Sequence, residues 1–324
     1  MNYQLFLKEI EEVVKEKVEQ DFHVYINSVL KNNGIELDAI VILKEGENVS
    51  PNIYLEYYYD RYCDGVSLDE VGDEILAVSQ EAVHEKQNLS GNYLDFENYK
   101  DSLFYRVVHY EKNKNLLQEM PHIRYLDLAV TFHCMISESP KGIQSYCISQ
   151  RILDYWKLTA EELYQIAKKN TPRLFPPQIS AMEELLFGLE KKETNASWLK
   201  QNTENTKIFS RQEYRQYLKE MLEEVSFDTD LQMYVMTNCN GVNGAAVLLY
   251  PELMQMFAEK CECDFYLLPS SIHEFIAIPE HECKNEKLKQ MVYEVNNTQV
   301  AGDEILSYSV YFYNRDKKEL SVYK

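Results

Sequence analysis

Hydrophobic and polar positions repeat with two different periods along this chain, and each period predicts a different kind of element. In residues 1–20, apolar side chains alternate with Glu and Lys at helical spacing, which predicts an amphipathic helix. Residues 22–29 and 39–43 have the pattern of strands. Asn32-Asn33-Gly34 lies between them and predicts the turn of a hairpin, because Asn and Gly tolerate positive φ.

The rest of the chain continues this mixture of helices and strands. Residues 52–62 follow a proline and predict a tyrosine-rich helix. Capping-box sequences predict helices that begin after Ser67 and after Thr159, and the second should end before Pro172. Two more helices are predicted at 251–261 and 287–295. Further strands are predicted at 126–136, 143–148, 233–237, 245–249, 265–268, 275–278, 310–313 and 320–323.

The short links between paired strands favour an α+β fold, with antiparallel or mixed sheets and helices packed to one side, over a doubly wound parallel sheet. A single core seldom grows beyond about 250–300 residues, and this chain has 324. We therefore expect two to three subdomains. Polar stretches at residues 86–100 and 188–206 divide the chain into α+β subdomains at 1–98, 99–206 and 207–324.

The excess of acidic side chains limits the kinds of partner that this protein is expected to bind. The chain has 53 acidic and 33 basic side chains, a net charge of −20, and no cluster of Lys and Arg that would neutralise phosphates. Direct binding to nucleic acid is therefore not expected. An acidic surface suits a basic protein partner, although acidic residues also simply keep a protein in solution. The 25 tyrosines suit half-buried packing or a partner-facing surface, since each combines a large ring with one polar tip.

Apolar segments and cysteines indicate the compartment. The amphipathic start lacks the continuous apolar stretch of a signal peptide, and no segment approaches the roughly 18 apolar residues of a membrane span. The seven cysteines are odd in number and lie mostly within apolar runs. We expect reduced thiols in a cytoplasmic protein, with no membrane partner and no cofactor.

Several strings in the chain resemble the bacterial family catalogued as domain of unknown function 5688, and Pro269-Ser270-Ser271-Ile272-His273-Glu274 is the most specific of them. From Trp156 onward, the order of elements is also similar to another family of unknown function, number 1444. Both resemblances imply a cytosolic bacterial protein, and neither supplies an activity or a functional residue. The other strings are Asn52–Glu56 with Tyr62 and Gly65, Asn170–Phe175, Met236–Asn238, Gly244–Ala246 with Leu249–Pro251, Met291-Val292 with Glu294–Asn296, and Leu306-Ser307.

The same string, Ser270-Ser271-Ile272-His273-Glu274, holds the residue types of a hydrolase: a hydroxyl nucleophile, a base and a carboxylate. In an extended segment Ser271 and His273 would share a face while Glu274 would point the other way. The Gly-x-Ser-x-Gly elbow that exposes a nucleophile is absent. The alternative is a turn between two strands in which the Ser hydroxyls cap backbone groups.

A second candidate site consists of metal ligands. Cys261, Cys263, His281 and Cys283 supply the four Cys and His side chains of a structural zinc site. The usual Cys-x-x-Cys spacing is missing, so no metal is predicted. The alternative is that the thiols end a helix and fill a core.

These observations lead to three functional hypotheses. The first is a non-enzymatic interaction or regulatory protein that uses an acidic, tyrosine-rich surface to bind a protein partner. The second is a hydrolase or other small-molecule enzyme centred on Ser271, His273 and Glu274. The third is an acidic inhibitor that mimics nucleic acid and blocks a basic groove.

Overall fold

In a computed structural model, the chain forms two compact units, Met1–Asn92 and Tyr93–Lys324. They are called the first and second unit below, and each is described by itself. Secondary structure over the described parts confirms the α+β class, because helices accompany three antiparallel sheets. The structure describes residues 1–46, 50–86, 95–139, 142–186, 210–227, 232–282 and 287–323.

The first unit is a three-stranded antiparallel sheet with helices packed on one face. Strands β1 to β3 lie in sequence order in the sheet. The core of the unit joins this face to the helices, with fully buried side chains such as Phe6, Ile10, Ile40 and Val71. The elements are α1 (Tyr3–Lys17), β1 (Phe22–Leu30), β2 (Glu36–Lys44), β3 (Ile53–Tyr54), α2 (Glu56–Cys63) and α3 (Leu68–Lys86).

The predicted hairpin and its turn are confirmed in the first unit. Strands β1 and β2 pair over their whole length, and Asn33 and Gly34 adopt φ of 62° and 74° between them. The helix predicted at 52–62 begins only at Glu56, because Ile53 and Tyr54 pair with β2 instead. Pairing with β2 therefore sets the backbone of Ile53 and Tyr54, although the local sequence favours a helix there.

The second unit contains two antiparallel sheets. In the four-stranded sheet, the long strand β6 pairs with β4 along one edge and with β5 and then β7 along the other. The six-stranded sheet has the order β13-β12-β10-β11-β9-β8. The strands are β4 (Leu103–His109), β5 (His122–Tyr125), β6 (Leu128–Ser139), β7 (Gly142–Cys147), β8 (Pro177–Ala181), β9 (Tyr234–Asn238), β10 (Phe265–Ser271), β11 (Glu274–Pro279), β12 (Tyr311–Asn314) and β13 (Glu319–Val322).

Helices enclose both faces of the six-stranded sheet. One large core joins this sheet to the four-stranded sheet and to most of the helices, and it includes Tyr105, Phe132, Phe257 and Tyr311. A smaller core on the opposite face packs against α11. The helices are α4 (Phe96–Tyr99), α5 (Lys114–Leu117), α6 (Gln150–Trp156), α7 (Ala160–Leu174), α8 (Met182–Leu186), α9 (Arg211–Glu224), α10 (Leu253–Cys261) and α11 (Leu288–Thr298).

The predicted end of α7 is wrong, because the helix continues through Pro172 to Leu174. Its last turn is tied to β4 by side chains. The Asn170 amide donates to the Leu103 carbonyl, and the Thr171 hydroxyl accepts from the Tyr105 N–H. These tertiary bonds offset the backbone bond that proline cannot make.

The strand predicted at 245–249 is also wrong, since Gly244–Leu249 forms a short 3-10 helix. A Cβ on Gly244 would lie 2.1 Å from Thr237 Oγ1 and 2.4 Å from the His273 carbonyl oxygen. The segment is therefore packed closely against the end of β9 and the β10–β11 turn, and it does not pair as a strand. An apolar run alone does not distinguish this buried turn from a strand.

The predicted division at 98 and 206 stays a prediction. Strands β8 and β9 are neighbours in one sheet although they lie on opposite sides of residue 206. The polar stretch at 188–206 lies outside the described residues.

Candidate interaction surface and the predicted sites

The negative charge of this protein is concentrated in its first unit. Residues 1–92 contain 19 acidic and 7 basic side chains, so they carry −12 of the net charge of −20 in little more than a quarter of the chain. The second unit, two and a half times longer, carries only −8. Because exposed charges act over about one Debye length, roughly 8–10 Å in physiological salt, this imbalance makes the first unit the stronger attractor for cations.

Within the first unit, helices α2 and α3 pack together and leave an open cleft of about 370 Å³. We call it the acidic cleft. The Arg61 guanidinium lies within it, 2.6 Å from Glu74 Oε1. The cleft is lined by Arg61, Val66, Glu70, Asp73 and Glu74.

The start of α3 positions the carboxylates of this cleft. Ser67 and Glu70 form the predicted capping box, in which each side chain bonds the backbone N–H of the other. Hydrogen bonds from the backbone and hydroxyl of Ser67 lower the pKa of the Glu70 carboxyl. One turn later, Asp73 receives the Lys17 ammonium at 2.6 Å. Hydrogen bonds and ion pairs therefore position the carboxylates of the cleft.

The tyrosines of α2 divide into packing residues and one exposed residue. Tyr59 and Tyr62 pack against Phe6 of α1, and Tyr58 is buried. Tyr57 is 62% exposed, one helical turn before Arg61. Only Tyr57 thus offers the exposed ring face that a partner's Lys or Arg could approach.

The structure places Ser271 at the end of β10 and His273 in the turn between β10 and β11. The His273 N–H donates to Ser271 Oγ at 3.0 Å, which is a turn-capping bond. On the ring, Nδ1 accepts from the Asn243 N–H at 3.0 Å. The proton therefore lies on Nε2, which donates to Glu304 Oε1 at 3.3 Å.

Glu304, which sequence reasoning missed, thus takes the place expected for Glu274. Glu274 instead pairs with Ser271 in the β10–β11 ladder, and Ser270 lies at a register shift between these strands. Glu304 lies 31 residues after His273 and comes close through the Ile272 N–H bond to its carbonyl. No short sequence motif identifies a carboxylate partner that lies so far from its histidine along the chain. Through the bond from the Asn243 N–H to His273, the turn can hold the Asn240–Gly244 loop in place. This is a structural role, the alternative to a hydrolase site.

The predicted cysteine site is only partly described. Cys261 ends α10, and burial raises the pKa of the Cys261 and Cys263 thiols. His281 Nε2 lies 3.3 Å from Gln232 Oε1. Cys283 lies outside the described residues, and the described ones contain no group of three His, Cys, Asp or Glu able to hold a metal. Protonated thiols are poor metal ligands and nucleophiles.

Comparison with known proteins gives one match. The profile of a family of unknown function, DUF5688, matches residues 3–315, which is nearly the whole chain. No curated protein and no solved structure matches the sequence or the fold. None of the helices in the described ranges is long and apolar enough to cross a membrane.

Proposed function

This chain belongs to the family of unknown function DUF5688, and from that premise we propose that it is a non-enzymatic interaction protein whose acidic first unit binds a basic protein partner. The observation that carries the proposal is the charge of −12 on residues 1–92. Electrostatic complementarity of this kind speeds encounter and selects partners more than it adds affinity.

The acidic cleft is the place where such a partner would dock. Its carboxylates are exposed enough to meet a partner's ammonium or guanidinium group, and Tyr57 adds a ring for a cation–π contact worth about 0.5–1 kcal/mol. Arg61 and Lys17 already neutralise Glu74 and Asp73 in part. A partner's cations would exchange with these internal ones, which favours a reversible complex.

The two other hypotheses have less support. A nucleic-acid mimic needs rows of unpaired negative charge, whereas Lys17 bridges Asp69 and Asp73 at 2.8 and 2.6 Å. A hydrolase needs a free histidine nitrogen beside the nucleophile, and both ring nitrogens of His273 have other partners. Both hypotheses stay predictions.

We expect the triple variant Glu70→Gln, Asp73→Asn, Glu74→Gln to bind a basic probe more weakly than the wild type. The probe is a fluorescein-labelled peptide of eight lysines, titrated with the full chain and followed by fluorescence anisotropy. Loss of three ionised carboxylates should raise Kd by about fivefold, since each exposed pair is worth about 0.2–1 kcal/mol. Added salt should weaken wild-type binding as well.

A matched control removes the same charge from the second unit. Glu220, Glu223 and Glu259 are exposed there, and their replacement by Gln leaves the acidic cleft intact. This control should change Kd by less than about twofold, because it removes no carboxylate from the acidic cleft. Equal weakening by both triple variants would show that only overall charge matters, and the proposed surface would then be wrong.

A further inference from the structure

Strand β1 is the longest edge strand in the described parts of the chain. It forms one edge of the three-stranded sheet and has nine residues, Phe22–Leu30. Backbone N–H and C=O groups along a sheet edge can pair with another chain, so proteins protect long edges with charged side chains, proline or bulges. Strand β1 contains no Asp, Glu, Lys, Arg or Pro, although 27% of the chain is charged, and its register with β2 has no bulge. The usual protections are therefore missing from this edge.

Several other edge strands of the protein are protected. The side chains of Asn170 and Thr171 in α7 bond the backbone of β4, at the edge of the four-stranded sheet. In the six-stranded sheet, one edge strand begins with Pro177, and the other has four residues and begins with Glu319. The opposite edge of the first-unit sheet, β3, has only two residues. Strand β1 therefore differs from these strands in length and composition.

Two hydrogen bonds at the ends of the β1–β2 ladder show which backbone groups of β1 point away from β2. The Lys31 N–H donates to the Ile35 carbonyl at 2.7 Å, and the Glu45 N–H donates to the Asp21 carbonyl at 2.7 Å. Every second residue of an antiparallel strand bonds its neighbour, so the odd-numbered residues of β1 bond β2. The even-numbered residues direct their N–H and C=O groups outward. They are Phe22, Val24, Ile26, Ser28 and Leu30.

The outer edge of β1 is open to solvent. Tyr25 and Leu30 are 41% and 38% exposed, and Ser28 is exposed between them. Of the outward backbone groups, only the Phe22 N–H has a hydrogen-bond partner within the described ranges, the Glu19 carbonyl. A strand of another molecule therefore has room to add to the sheet here.

We propose that two copies of this protein associate through their β1 edges, which pair antiparallel about a two-fold axis and join the two sheets into one. A contact of this kind uses the same strand from both copies. Centring the axis on Ile26, the middle residue of β1, matches the outward groups of the two strands along their whole length.

The side chains along β1 suit this pairing of the strand with itself. Leu30 of one copy lies opposite Phe22 of the other, and Tyr25 lies diagonal to its own counterpart, within reach of a ring contact. The strand carries no charge, so no like charges repel each other directly across the axis. A second copy therefore fits this edge, whereas a basic partner strand would find no carboxylate on β1.

The net charge makes the response to salt diagnostic. Two chains that each carry −20 repel one another, so added salt should tighten the dimer. Binding of a basic partner at the acidic cleft responds to salt in the opposite direction. Each proposal can therefore fail without the other.

The test is sedimentation velocity of the full chain at about 1–200 µM protein, in about 50 and 500 mM sodium chloride. We expect a reversible monomer–dimer equilibrium whose Kd falls by about threefold at the higher salt concentration. Ser28→Pro should raise this Kd by at least about tenfold, because it removes an outward N–H from each copy and places a ring at the edge. Ser28→Ala, the matched control, keeps that N–H and should change Kd by less than about twofold.

Hydrogen exchange of the wild type provides a test that needs no variant, in case Ser28→Pro does not fold. Raising the protein concentration should slow exchange of the Val24 and Ile26 N–H groups, which point outward. The Tyr25 and Asn27 N–H groups, which bond β2, should be equally protected at low and high concentration. The inference is overturned if the wild type stays monomeric, if the outward amides exchange equally fast in the dimer, if Ser28→Pro dimerises as tightly as the wild type, or if salt weakens the dimer.

Discussion

Replacing Gly244 with alanine will lower the free energy of unfolding by about 3 kcal/mol, because the new methyl group has no space. Its Cβ would lie 2.1 Å from Thr237 Oγ1, 2.4 Å from the His273 carbonyl oxygen and 2.8 Å from the Asn238 nitrogen. Two of these are backbone atoms, one in the β10–β11 turn and one at the end of β9, and neither can move separately from the sheet. Urea denaturation followed by tyrosine fluorescence and circular dichroism measures the change.

Gly241, three residues earlier in the same loop, provides the control. It has φ of +64°, but no described atom lies within 4 Å of the position that an alanine Cβ would occupy there. Gly241→Ala should therefore cost only the left-handed backbone penalty, about 1–2 kcal/mol. If Gly244→Ala proved as stable as wild type, the close packing of this loop against the β10–β11 turn would be wrong.

Acid will destabilise the second unit through His133, the second large effect we expect. Burial, assisted by the positive charge of Arg106, holds the pKa of His133 well below its usual value. The folded state therefore binds fewer protons than the unfolded state, in which the histidine pKa is about 6.5. Stability contributed by neutral His133 is present above that pH and is lost as the pH falls, by about 1.4 kcal/mol between pH 7.5 and 5.5.

The variant His133→Gln isolates this effect. Glutamine cannot be protonated, and it can still hydrogen-bond Thr131 Oγ1, which now lies 3.0 Å from His133 Nε2. Urea denaturation at pH 7.5 and 5.5 should show a smaller loss of stability for this variant than for the wild type. His23→Gln, at an exposed position on β1, serves as the control and should keep the wild-type pH dependence. An unchanged pH dependence in His133→Gln would show that His133 is not the acid-sensitive group.

Much of the fold follows from local sequence signals. The capping boxes at Ser67 and Thr159 mark the starts of α3 and α7, and Asn33-Gly34 marks the hairpin turn. These signals succeed because the bonds they describe are made within a few residues. The errors at Pro172 and Gly244 occur where side chains or backbone from other elements set the conformation.

The sites were less predictable, for the same reason. Glu274 is next to His273 in the sequence, but the carboxylate that contacts the His273 ring is that of Glu304, 31 residues further along the chain. The concentration of acidic residues before residue 92 is visible in the sequence, but its meaning depends on knowing where the first unit ends.

The most direct test of the proposed interaction surface is site-specific photo-cross-linking in cells of the source organism. Benzoylphenylalanine replaces Tyr57 beside the acidic cleft or, as a control, Tyr293 of the second unit, and both tyrosines are 62% exposed. We expect a discrete cross-linked adduct with a basic protein at position 57, lost when Glu70, Asp73 and Glu74 are neutralised, and no such adduct at position 293. No adduct at position 57, or the same adduct at both positions, would contradict a partner-binding role for the acidic first unit.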